Sequence, residues 1–403
     1  MILKKRIFTN TVFNGCGRFV SFLLQILIIA YLIRGLGKEV YGIVVLALAL
    51  LANANILESG FGLSVSKYVA EFKAKGDWKR LNAVVNTNFI VATVLGVLFA
   101  IILVVINELL LEMIFTIPEE FIADTKNLLR ILIAHCLLDF WFVSAVRVAE
   151  GFQRYPLARG MELLRWALRL AFIVGALSGL GLGLAGIGIA YIGASLVCLA
   201  AIYLFVFSRS AVLQLSIGSV NREAFHLLFG FSIWVFLSKV FSFFSYRVHV
   251  ILISIFLPPV NLTYYNVGYK VLEFLRYGFS IISSTLIPVT SELNALMEGE
   301  RITRLFQKAS KYTIASMYPL LLLFFFHADK FIELWVGSGF DQSFALSQLF
   351  IVSLFFAAPI VCGAEMMVGI NKLKALLIYV AIASSVNFIL SIWLIPKLGI
   401  YAT

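Results

Sequence analysis

Runs of about 20 apolar residues follow one another along the chain with short polar breaks, the pattern of helices that each cross a bilayer. Eleven runs lie near residues 9–34, 40–66, 84–106, 126–147, 156–178, 184–207, 224–256, 261–290, 309–328, 344–368 and 374–395. A twelfth begins at Gly399. The first run is too long for a signal-peptide core and is kept in the mature chain. The pattern predicts an all-α polytopic membrane protein.

The pattern also repeats. The long first run leads to Leu36-Gly37 and Tyr41-Gly42, and the seventh leads to Leu257-Pro258 and Tyr264-Tyr265. Gly151-Phe-Gln-Arg-Tyr155 has its counterpart in Gly369-Ile-Asn-Lys-Leu373, and Leu182-Gly183 in Leu398-Gly399. Two related halves of six helices each are therefore expected, parallel to one another because an even number of spans separates their starts. The expected division is 1–209 for the first bundle, 210–223 for a cytoplasmic linker, and 224–403 for a second bundle of five complete spans and the start of a sixth, apparently cut short.

Composition excludes a water-soluble domain. Of the 403 residues 62% are apolar and only 13% charged, against about 25% charged in an average soluble domain. Cys16, Cys136, Cys198 and Cys362 all lie inside apolar runs and read as small packing residues. Cations set the orientation, because Lys and Arg accumulate in cytoplasmic loops. With the N-terminus inside, the inner segments hold 19 Lys and Arg, including Arg147 and Arg159, and the outer loops five. The expected location is thus the cytoplasmic (inner) membrane with a cytoplasmic N-terminus. The net charge of +11 is mostly this topology signal, so no nucleic-acid partner is expected.

Thirteen charges remain inside spans: Arg18, Arg130, Arg165, Arg169, Lys239, Arg247, Lys270 and Arg276, with Glu58, Asp139, Glu162, Glu273 and Glu365. Facing lipid at about 3 kcal/mol each they would cost roughly 40 kcal/mol, several times a folding free energy. They must face one another or water. Glu162, Arg165 and Arg169 fall on one helical stripe. Counted inward from Pro156, the two arginines sit about 14 and 20 Å deep, and Arg18, counted from Thr9, reaches about 14 Å. Glu162 can compensate at most one arginine of the stripe. Internal salt bridges, Glu162 with Arg165 and Glu273 with Lys270 or Arg276, are the structural alternative. Across the whole set, however, positive charge is in surplus, and a central cavity that accepts an anion satisfies it.

Other chemistry is thinly represented. Gly181-Leu-Gly183-Leu-Ala-Gly186 matches a dinucleotide fingerprint but lies in a turn between two spans, without the strand that motif needs. No Walker A sequence occurs. His135, His226, His249 and His327 have no ligand spacing, so neither a metal site nor a cofactor is expected. The acids of the outer loop near 107–126 read as a solvated loop rather than the site of a membrane glycosyltransferase or polymerase. No enzyme activity is expected.

Arg34-x-Leu36-Gly37 with Tyr41-Gly42, then Glu58-Ser-Gly-Phe-Gly-Leu63 and Lys67-Tyr-Val-Ala70, resembles the opening of polysaccharide and O-antigen flippases, and Tyr264-Tyr265 followed by Ile287-Pro-Val-Thr-Ser-Glu-Leu293 resembles their second half. These belong to the multidrug/oligosaccharidyl-lipid/polysaccharide exporter superfamily. The resemblance implies two six-helix bundles around a central cavity, a multidrug-exporter-like fold. It also implies alternating-access transport of an undecaprenyl-pyrophosphate-linked oligosaccharide for cell-surface polysaccharide biosynthesis. Within that expectation Arg18, Arg165, Arg169, Lys239, Arg247, Lys270 and Arg276 bind the pyrophosphate, and Glu58, Asp139 and Glu365 carry a coupling H+ or Na+. The expected partners are the lipid-linked oligosaccharide, membrane lipids, and a glycan polymerase with other polysaccharide-assembly proteins. An ion-coupled multidrug exporter is the alternative; organic cations, however, want acids in the cavity.

Overall fold

The structure, a computed structural model, describes residues 2–208, 213–246, 248–283 and 286–403. Among the described residues it is all helix and turn. The helices are α1 (Ile2–Leu36), α2 (Lys38–Ala52), α3 (Ala54–Lys75), α4 (Trp78–Val105), α5 (Leu111–Ile114), α6 (Glu119–Gly151), α7 (Tyr155–Val174), α8 (Gly183–Ile202), α9 (Arg222–Tyr246), α10 (Val248–Phe256), α11 (Pro259–Ser283), α12 (Leu286–Ala295), α13 (Gly299–Val336), α14 (Asp341–Gly369) and α15 (Leu373–Leu398). π-helical turns at Ile106–Leu110, Gly175–Gly179 and Tyr203–Ser208 follow α4, α7 and α8.

Six stretches among the described residues are long and apolar enough to cross a membrane: Phe19–Leu36, Trp78–Ile114, Glu119–Gly151, Gly183–Phe207, Asp341–Ala358 and Lys374–Ala402. The chain is therefore a multi-pass membrane protein. The other expected runs are helical as well, but differ in detail. The run expected over 40–66 is divided into α2 and α3 by a turn at Asn53, whose N–H reaches the carbonyl of Leu50. Gly399–Ala402 forms a single 3-10 turn.

Local sequence explains where helices stop. α3 ends at Gly76, in the left-handed region at φ 69°, with the N–H groups of Gly76 and Asp77 returning to the carbonyls of Lys73 and Phe72; this is the glycine cap expected of a helix end. Asp77 then caps α4 by accepting from the Arg80 N–H at 3.0 Å.

The chain forms two compact units, one ending at Phe243 and one running from Phe244 to Thr403. In the first, α6 packs against α3, α4 and α8, and α7 against α1 and α8. Its core includes Val65, Val69, Leu81, Val84, Phe142 and Ile202. The first turns of α9 belong with this unit: Ser232 hydrogen-bonds with Ser64, and Phe229 packs on Phe61. In the second unit α14 packs against α11, α12 and α13.

The repeat seen in the sequence recurs in the backbone of each unit. Gln153 and Asn371 both take positive φ, 60° and 59°, and both close the turn after a long helix. The following N–H groups, of Arg154 and Lys372, bond to the carbonyls of Ala149 and Met367. The preceding glycines are matched too. A Cβ on Gly151 would lie 2.7 Å from Cβ of Val69 and 3.0 Å from the Ser66 carbonyl; on Gly369 it would lie 2.8 Å from Cβ of Thr290 and 2.9 Å from the Ile287 carbonyl. Only glycine lets the helices approach this closely.

The segment after α8 is tied to the first unit by two side chains one turn apart on α4. Asn82 Oδ1 accepts from the Gln214 N–H at 2.9 Å. Asn86 Nδ2 donates to the Gln214 carbonyl and its Oδ1 accepts from the Ser216 N–H, each at 2.8 Å.

Candidate functional site

The first unit holds a connected set of charged groups inside its helices. α6 presents His135, Asp139, Arg147 and Glu150 on one side, and α7 presents Arg159, Glu162, Arg165 and Arg169; helical spacing keeps each set within a third of the helix circumference. α3 adds Glu58, and α8 adds Tyr191 and Ser195.

Two clusters result. In one, Arg165 Nη1 donates to Asp139 Oδ1 at 2.5 Å, while Arg169 Nη2 lies 3.9 Å from the same oxygen. Arg169 is 5% exposed. Its guanidinium stands 4.1 Å from the Tyr191 ring and 5.0 Å from Trp166, and that of Arg165 stands 4.1 Å from Phe142. Aromatic faces attract cations away from water, so these rings replace part of the lost hydration. Arg169 Nη2 also lies 3.3 Å from His135 Nε2, which is 2.8 Å from Ser195 Oγ. A guanidinium only donates, so Nε2 is the acceptor and the imidazole proton sits on Nδ1.

In the other cluster the two oxygens of Glu150 accept from Arg147 at 2.8 Å and from Arg159 at 2.7 Å. Arg159 also donates to Glu162 at 2.6 Å. Glu58 is 7% exposed and its Oε1 has no hydrogen-bond partner. The place of a Cβ on Gly62 lies 2.5 Å from that oxygen and 3.0 Å from Arg147 Nε, so the absent methyl makes the room in which carboxylate and guanidinium approach.

This arrangement corrects the expected pairing. Glu162 serves Arg159, and Arg165 takes Asp139. Arg147, Glu150 and Arg159, counted with a cytoplasmic loop in the sequence, belong to the interior. With them, the described residues of this set are four arginines and four carboxylates, Glu58, Asp139, Glu150 and Glu162.

The remaining expected residues are placed elsewhere. Lys239, expected in the interior, is exposed on α9. Lys270 donates to Glu273 at 2.6 Å one turn along α11, as the structural alternative allowed, and Arg276 is half-buried on the same helix. Glu365 is half-buried on α14. Arg130, near the end of its run, is 55% exposed and pairs with Glu108 at 2.8 Å. The side chain of Arg18 and the whole of Arg247 lie outside the described residues. His135, expected to be a packing residue, is buried but joined to the arginine cluster. Among the described residues no three His, Cys, Asp or Glu converge as a metal site would need. The buried Nε atoms of Arg147, Arg165 and Arg169 have no hydrogen-bond partner, so each of these guanidinium groups keeps a donor in reserve.

Comparison with known proteins agrees with a transporter. The model of the family described as "Polysaccharide biosynthesis protein" matches residues 7–294. A "Putative O-antigen transporter" of Salmonella typhimurium strain LT2 is 20% identical over 390 residues, covering 94% of this chain and 87% of the relative. A multidrug resistance MATE family transporter of the MOP superfamily, in an inward-facing conformation, superposes with a TM-score of 0.74 at 18% identity, covering 98% of this chain and 89% of that one. A MOP superfamily transporter from Pyrococcus furiosus gives 0.69 at 18% identity, covering 99% and 90%. The fold is that of these transporters.

Proposed function

Because the chain belongs to the polysaccharide biosynthesis protein family, we propose that it is a flippase carrying a lipid-linked oligosaccharide, with an undecaprenyl-pyrophosphate anchor, across the cytoplasmic membrane by alternating access. It acts as a transporter and not as an enzyme. Its N-terminus lies in the cytoplasm, the side to which the lysines and arginines of the loops assign it. In this reading the sugar crosses in water while the prenyl tail stays in lipid.

The observation that carries the reading is that Arg165 and Arg169, one turn apart, share a single oxygen of Asp139. A pyrophosphate brings negative charge that hydrocarbon cannot solvate. Guanidinium groups grip phosphate oxygens at two points, and here they replace water. Arg18, Lys239, Arg247, Lys270 and Arg276 complete the proposed set of cations along the path. The spare Nε donors of Arg165 and Arg169 favour an anionic cargo over the organic cations of a drug exporter.

The balance of four arginines against four carboxylates supplies a reason for ion coupling. A pyrophosphate added to a neutral set leaves it negative. Uptake of H+ or Na+ by Asp139 or Glu58 releases an arginine to the cargo and restores the count; Glu365 serves the second bundle in the same way. Glycan polymerase and other assembly proteins receive the product at the outer leaflet.

The test is complementation of cells that lack the chain. Arg165→Ala and Arg169→Gln should insert at normal abundance, yet lower surface glycan by about tenfold or more, since each removes a charge-assisted contact. Undiminished surface glycan from either variant overturns the assignment.

A further inference from the structure

The first unit contains a cavity of about 610 Å³ between α4, α6, α8 and the segment after α8, apart from the charged clusters. Its walls are almost wholly apolar. Exposed Ile90, Leu196 and Tyr203 stand at the mouth, and buried Ala145 and Ile202 line the inner wall.

Three polar side chains of the wall, Asn86, Thr93 and Trp141, are already engaged. Trp141 Nε1 donates to Thr93 Oγ1 at 2.9 Å, and the Thr93 hydroxyl donates to the Phe89 carbonyl at 2.7 Å. Asn86 is occupied by the backbone of Gln214 and Ser216. An occupant is therefore offered hydrocarbon and little hydrogen bonding. At about 30 Å³ for a water-sized group, the space holds roughly 20 such groups, the bulk of one long acyl chain.

Charge at the edge defines the rest of the ligand. Lys79 lies two turns before Asn86 on the same stripe of α4, exposed and without an ion pair among the described residues. Arg222, two residues beyond the lining residue Val220, is exposed as well; its Nε donates to His226 and it makes no ion pair among the described residues. Arg80 between them is held by Asp77 and Glu223. Two unpaired cations beside an apolar slot suit a phosphate followed by a chain.

We propose that this cavity binds an anionic phospholipid, one acyl chain seated against α4, α6 and α8 and its phosphate held by Lys79 and Arg222. The lipid also touches Leu215 and Ser216, so it and the two asparagines hold the same segment. The site is separate from the path proposed for the transported lipid.

The experiment titrates detergent-purified chain with phosphatidylglycerol or phosphatidylcholine of identical chains and counts retained lipid by native mass spectrometry. Phosphatidylglycerol should be retained about tenfold more strongly, the preference expected of two cations near a phosphate. A diazirine on its acyl chain should label α4 and α8 around Ile90 and Leu196. Ala200→Trp, at an exposed lining position, should remove retention and labelling; Leu196→Trp is the substitute if that variant does not fold. The double variant Lys79→Glu, Arg222→Glu should keep the labelling and lose the headgroup preference. Equal retention of both lipids by the unaltered chain, or unchanged labelling in a folded tryptophan variant, overturns the proposal. So does displacement of phosphatidylglycerol by an equimolar prenyl phosphate, which would assign the cavity to the transported lipid.

Discussion

Asp139 is the residue on which the Arg165 and Arg169 cluster depends, because its Oδ1 faces both guanidinium groups. Removing one partner of a buried ion pair leaves the other desolvated and uncompensated, whereas replacing both with apolar groups is often tolerated. Asp139→Asn should therefore destabilise the chain by about 3 kcal/mol or more. Asp139→Asn combined with Arg165→Met should recover part of that loss, because one uncompensated cation is gone. Thermal unfolding of the three purified variants checks the ordering, and a double variant less stable than Asp139→Asn would refute it. Legibility at this scale was partial. The stripe of Arg165 and Arg169 could be read from spacing alone. Arg147 and Arg159 could not, since they flank the Gly151–Arg154 turn in sequence and count there as loop cations; their i, i+3 acids, Glu150 and Glu162, were the available clue. His135 carries no sequence signal, because what gives it a role is Ser195, sixty residues away.

Among the helices, those with continuous apolar runs were plain: α4, α6, α8, α14 and α15 lie where the pattern puts them, with ends displaced by a few residues. The polar-striped ones were harder to bound: α7 turns its charged stripe inward and leaves Leu164, Phe172 and Val174 exposed, and hydropathy averages the two faces. The division of the 40–66 run at Asn53 is a local turn that no apolar pattern records. The repeat was legible because Gly151 and Gly369 survive at matched positions, and the structure supplies the reason in the two close helix contacts. Alanine at either glycine should cost about 1–3 kcal/mol by overpacking. Gly160→Ala is the control: nothing lies within 4 Å of its added Cβ, so about 0.5–1 kcal/mol of helix propensity should be gained. Melting temperatures in one detergent check all three, and a Gly151→Ala chain as stable as Gly160→Ala would contradict the packing account.

For the molecule as a whole, the cation count makes an orientation that can be measured directly. Alkaline phosphatase fused after Gly76 should stay inactive in the cytoplasm, and fused after Pro118 it should be active outside; the reverse pattern would turn the proposed topology over. The four arginines and four carboxyl groups described inside the first unit bear on the same membrane in another way. When all are ionised they sum to zero, so if they move as one body the membrane potential exerts no net pull on them. At about 2.3 kcal/mol per elementary charge for each 100 mV, the voltage dependence of the proposed transport would then report charges outside that balanced set, the proposed cargo and coupling ion among them.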